Sequence, residues 1–187
     1  TLGTNLDTAW ARQASRRLRT DFGLAADPDS LLAPLRPFFV GADVVLLNVE
    51  GAIGEGPTRH KCGPTSKNCY AFRQPIGAAA AIRRVADSAV VVGNVANNHA
   101  RDALDDGFAI SLRHLRRAGI LVTGADTLAT PVVTRNGDTI AVLGFYTSEE
   151  SPDARDLAAV RRHVARAVSS AVTSGPPQVN PIGAFGR

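Results

Sequence analysis

The sequence predicts an α/β fold, a mixed β-sheet flanked by helices. Two short apolar runs, Asp43 to Leu47 and Ala89 to Val92, each end in polar residues. The second, with Gly93 and Val95 following, reads as a strand buried on both faces. Between the runs, Ile76, Ala79, Ala80, Ile82 and Val85 recur at helical spacing. A strand, helix, strand crossover is right-handed almost without exception, so the two strands should lie parallel with both carboxyl ends on one edge. Asn136-Gly137-Asp138 then separates Val132 to Arg135 from Thr139 to Leu143. Asn-Gly accepts the positive φ of tight turns, which predicts a hairpin and makes the sheet mixed.

The remaining elements follow from local pattern. Asp27 before Pro28 starts a helix with Leu31, Leu32, Leu35 and Phe38 as its buried side, kept short or bent by Pro34 and Pro37. After Asp102, Leu104, Phe108, Leu112 and Leu115 recur every three or four residues until Gly119 stops the helix. Ser151-Pro152-Asp153 caps a final helix whose expected apolar stripe is Leu157, Val160, Val164 and Val168. A Gly- and Pro-rich tail, 173–187, is expected to be disordered, which leaves one domain over 1–172.

Composition narrows the function classes. An apolar content of 44% with 20% charged residues is ordinary globular usage. The net charge of +4 comes almost wholly from arginine, with Lys61 and Lys67 the only lysines. Arg16, Arg17, Arg19, Arg83, Arg84, Arg113, Arg116, Arg117, Arg161, Arg162 and Arg166 are spread over separate helices. Nucleic-acid binding needs such charge on one surface with stacking aromatics, and aromatics are 5%; no nucleic-acid partner is expected. An anionic polymer or a phosphorylated substrate suits the charge. No stretch approaches the roughly 20 apolar residues that cross a bilayer, so any membrane attachment is expected outside this sequence. The sequence contains no Met, so Thr1 is not expected to be the translated start; removal of a signal peptide is the expectation.

Chemistry concentrates at the two strand exits. Asn97, Asn98 and His99 follow one, and Asn48 and Glu50 follow the other before Gly51 turns the chain. In open α/β sheets that edge is where ligands bind. An Asn oxygen is a hard neutral ligand for Mg, Mn or Fe, whereas His can bind metal, polarise a phosphoryl oxygen or protonate a leaving alkoxide. A polar turn with a solvated Glu50 is the plainer reading of either segment alone.

With these residues in view, the chain resembles the bacterial capsule-synthesis proteins (CapA-type, polyglutamate synthesis) of the calcineurin-like metallophosphoesterase superfamily. Residues 42–51 look like that family's strand ending in Asn-Leu-Glu-Gly, and 94–102 like its Leu-Ala-Asn-Asn-His-x-x-Asp. Gly107, Ala118-Gly119-Ile120 with Gly124, Pro131-Val132-Val133 and residues 140–145 extend the similarity over roughly residues 38–147. The resemblance implies part of an αββα sandwich. It also implies Asn98 as a metal ligand, Glu50 and Asn48 at the metal site, and His99 as the group assisting phosphoryl transfer, with Asp102 orienting it or capping the next helix. The implied cofactor is a divalent metal (Mn, Fe or Mg), with two ions in a complete protein. The family's opening Gly-Asp strand and its late Gly-His-x-His-like segment have no counterpart here, so the domain is expected to be an incomplete, N-terminal portion. Leu104 stands where that family usually has Gly, and Ala52 where Pro is common.

Cys62 and Cys69 bracket a short loop between the two motif strands. A disulfide there would contribute about 2.5 kcal/mol in the chain-entropy model and stiffen the segment. It would imply an extracytoplasmic or envelope location, whereas free thiols would imply the cytoplasm. Three functional readings stand: a metal-dependent phosphoric ester hydrolase, a non-catalytic binding or scaffold module for an anionic cell-surface polymer, and a structural remnant without a site.

Overall fold

The computed structural model describes residues 4–5, 27–54, 60–63, 65, 67, 69–147 and 152–173. The arginines at 16, 17 and 19, the cap at Ser151 and the tail from Ser174 lie outside these residues.

The α/β class holds, and a parallel sheet forms its centre. Strands β2 (Val44–Asn48), β5 (Val90–Asn94) and β6 (Leu121–Thr123) lie in the order β2-β5-β6. Val44 pairs with Val90 and Asn48 with Asn94, so both strands end at the same level. Helix α3 (Gly77–Val85) makes the crossover between them, burying Ala78, Ala79, Ala81, Ile82 and Val85. Helix α4 (Leu104–Arg117) joins β5 to β6 and buries Phe108, Ser111 and Leu115. Val45, Val91, Ile82, Phe108, Leu115 and Ile120 share one apolar core, which removes their surface from water. Leu115 and Val92 are fully buried, as β5, central in the sheet, requires.

A smaller mixed sheet lies beside the first. It has the order β1-β4-β3, with β4 (Phe72–Gln74) antiparallel to β1 (Thr4–Asn5) and parallel to β3 (Ala52–Ile53). Buried Ser111 fastens this sheet to α4, accepting the Ile53 N–H at 2.8 Å while its hydroxyl donates to Gly107 O at 2.7 Å. The expected hairpin forms from β7 (Thr130–Val133) and β8 (Thr139–Val142) as its own two-stranded ladder. Thr130 and Thr123 hydroxyls attach it to β6 and β8 carbonyls, at Val122 O (2.8 Å) and Val142 O (3.0 Å). Gly137 takes the positive φ, +86°, whereas Asn136 does not, so the loop is longer than a two-residue turn.

Two expected buried faces are corrected. The prolines break the first helical segment into α1 (Pro28–Leu32), a 3-10 turn (Ala33–Leu35) and α2 (Arg36–Phe39). Each break rotates the apolar stripe, so Leu32 and Phe39 reach the core while Leu31, Leu35 and, at 79% exposure, Phe38 do not. The last helix, α5 (Leu157–Thr173), leaves Leu157, Val164 and Val168 exposed and buries Ala167. Its start is capped by Asp156, whose carboxylate accepts the Ala159 N–H at 2.8 Å.

Candidate functional site

The common level of the β2 and β5 ends decides what meets at the sheet edge. Val49 N–H donates to Asn94 O at 2.9 Å, carrying the pairing one residue past the strands. Gly51, at φ +103°, then turns the chain against Phe72, where a Cβ would lie 3.3 Å from the Phe72 Cβ. Gln74 holds the turn by donating from Nε2 to Glu50 O at 2.8 Å. Glu50 is thereby fixed in backbone but half-exposed in side chain.

Asn97 stitches the two exits. Its Nδ2 donates to Asn48 Oδ1 and to Val49 O, both at 3.1 Å, and its Oδ1 accepts the His99 N–H at 3.0 Å. Asn48 in turn reaches Glu50 Oε2 at 3.4 Å. Of the expected convergence of Asn48, Glu50, Asn98 and His99, three side chains meet: Asn48 reaches Glu50, and His99 Nε2 lies 3.8 Å from Glu50 Oε1. Asn98 is placed differently from the others. Its side chain is exposed, and its main-chain oxygen accepts from Lys61 Nζ at 2.9 Å.

Asp102 lies against His99, and the start of α4 has no side-chain cap. The Asp102 side chain is 0% exposed, and Oδ2 lies 2.8 Å from His99 Nδ1. Oδ2 also accepts the Phe72 N–H at 2.6 Å. The Lys61 ammonium stands 2.6 Å from Oδ1, an ion-pair contact that balances the buried charge. A carboxylate is acceptor-only, so Nδ1 donates and Nε2 is the nitrogen turned towards Glu50. The Phe72 ring packs on the imidazole with centroids 4.7 Å apart, closing its other side.

Sequence reasoning missed Lys61, Gln74 and the joining role of Asn97. Lys61 carried one signal, its place beside Cys62 in the loop between the motif strands. That loop is closed by the expected disulfide, Cys62–Cys69, with Cα atoms 5.6 Å apart. His163, on α5, packs near Phe145, ring centroids 6.2 Å apart. A cavity of about 510 Å³ adjoins the crevice, walled by Leu31, Leu32, Leu47 and Ile82 with Asn48, Glu50 and Gln74 at its polar end.

A histidine with a buried carboxylate on one side and a half-exposed one on the other thus stands at the carboxyl edge of a parallel sheet in an α/β protein. A family model described as bacterial capsule synthesis protein PGA_cap matches residues 2–181, and the chain belongs to that family. No curated protein matches the chain. The family and the disulfide are compatible with an extracytoplasmic location, and among the described residues no helix is long and apolar enough to cross a membrane.

Proposed function

We propose that this capsule synthesis protein acts as a cation-dependent phosphoester hydrolase on a phosphorylated or otherwise anionic polymer substrate. The single observation that carries the reading is the two-sided hold on His99: Nδ1 on Asp102 at 2.8 Å and Nε2 facing Glu50 at 3.8 Å.

The donor set fits one hard divalent cation, Mg, Mn or Fe. Glu50 supplies a half-exposed carboxylate. Asn48 Oδ1 accepts one hydrogen bond from Asn97, which leaves one of its two lone pairs. Asn98 adds an exposed amide at the same turn. Among the described residues no group of three His, Cys, Asp or Glu gathers to hold a metal, so water would complete the shell. A bound cation would neutralise charge on the phosphoryl oxygens. His99 passes a proton from Nε2 to the departing oxygen, and Asp102 stabilises the imidazolium and fixes its orientation. Phe72 sets a tilted ring against the imidazole, centroids 4.7 Å apart.

Mn²⁺ titration followed by electron paramagnetic resonance, together with hydrolysis of an aryl phosphate, tests the reading. Glu50→Ala and Asn98→Ala should weaken Mn²⁺ binding about tenfold or more. His99→Ala should keep most of the binding and lose about a hundredfold or more of the hydrolysis. Mn²⁺ binding without hydrolysis would favour the polymer-holding reading, and a flat titration would overturn both.

A further inference from the structure

We infer that Lys61 is a positioning residue for the His99–Asp102 pair and that the Cys62–Cys69 disulfide holds Lys61 in place. Its functional meaning rests on the reading of His99 above; its geometry does not.

Asp102 is held by three residues from three parts of the chain. Lys61 sets its ammonium 2.6 Å from Oδ1 as an ion pair and donates its main-chain N–H to Asp102 O at 3.0 Å. Phe72 gives its N–H to Oδ2 at 2.6 Å, and His99 its Nδ1 at 2.8 Å. Lys61 also donates to Asn98 O at 2.9 Å, so it grips the 98–102 turn at both ends. Two of these three residues sit on the arms of one cross-linked loop. Lys61 directly precedes Cys62, and Phe72 follows Cys69 by three residues.

Each partner does a different task. Lys61 supplies the positive charge that lets a carboxylate remain fully buried. Phe72 orients Oδ2 through its N–H and seats the imidazole with its ring. A lysine stem has four rotatable bonds, so its ordering is costly unless the backbone is already placed. The Cys62–Cys69 bond supplies that placement by keeping the two arms adjacent. Without it, Lys61 leaves, Oδ1 turns towards water, and the Nδ1 hydrogen bond loses its fixed acceptor.

The test uses ¹⁵N and ¹H NMR of the His99 ring in the full 187-residue chain, without metal, with the imidazole neutral. The oxidised wild-type chain should show a single Nδ1–H tautomer. Lys61→Met should populate both tautomers and exchange the ring proton about tenfold faster, while Lys61→Arg restores the wild-type signature. Treatment with dithiothreitol, which gives two electrons and two protons to the disulfide and becomes oxidised to its own disulfide, should act like Lys61→Met. A folded Lys61→Met chain with the wild-type tautomer and exchange rate overturns the role of Lys61. If that variant does not fold, the reduced wild-type chain decides, and an unchanged ring signature there overturns the inference. Loss of Mn²⁺ binding with this signature intact would sink the proposed function alone.

Discussion

Asn97 Nδ2 donates to Asn48 Oδ1 at 3.1 Å, joining the exits of two strands through residues 49 apart in the chain. The same side chain serves Val49 O and the His99 N–H. Asn97→Ala removes all three bonds and should cost about 2–3 kcal/mol in urea denaturation, at about 1 kcal/mol each. Asn97→Asp keeps the oxygen that accepts from His99 but turns its second oxygen on two acceptors, Asn48 Oδ1 and Val49 O, and should cost at least as much. An Asp variant clearly more stable than Asn97→Ala would show that the two Nδ2 bonds contribute nothing.

Leu104 opens α4 at φ +59°, in the left-handed region. An L side chain there costs roughly 1–2 kcal/mol. Leu104→Gly and Leu104→Ala both delete the half-buried side chain, but only glycine relieves the backbone. The Gly variant should be the more stable by about 1 kcal/mol, the reverse of the usual helix order. Thermal denaturation of the pair decides it.

Gly107 lies one helical turn beyond Ala103, and a Cβ on it would collide with the Ala103 Cβ. Gly107→Ala should therefore destabilise by about 1–3 kcal/mol although alanine is the better helix former. Ala103→Gly in the same chain should recover much of that loss, because it removes the atom struck. A double variant no more stable than Gly107→Ala would count against the collision.

Asp27 caps α1, and its carboxyl is held below the ordinary 3.8 first by the Ser30 hydroxyl and then by the Ser30 N–H. A group depressed in the folded state stabilises above its unfolded value, and the contribution fades as pH falls through the folded one. The difference in Tm between wild type and Asp27→Ala should be full at neutral pH and shrink once pH drops below 3.8. A difference that stays constant into acid would refute the capping role.

The parallel pairing of β2 and β5 is legible in the chain because buried strands need continuous apolar runs and a crossover helix leaves one handedness. Asp102 as the partner of His99 is legible too, since the two lie three residues apart in one turn. Lys61 is not legible: it meets Asn98 from 37 residues away, and no local period encodes a contact across that distance. Nor is the exposure of Phe38 and Val168, because hydrophobic spacing states which residues share a helix face and not whether anything covers it.

Asp102 ties positions 61, 72 and 99 together, contacts that span as many as 41 residues of sequence and enclose the whole α3 crossover. No turn peptide can reproduce them. The His99 environment therefore exists only when these distant segments have met, and a probe placed there reports tertiary structure where a probe of helix content reports local structure alone.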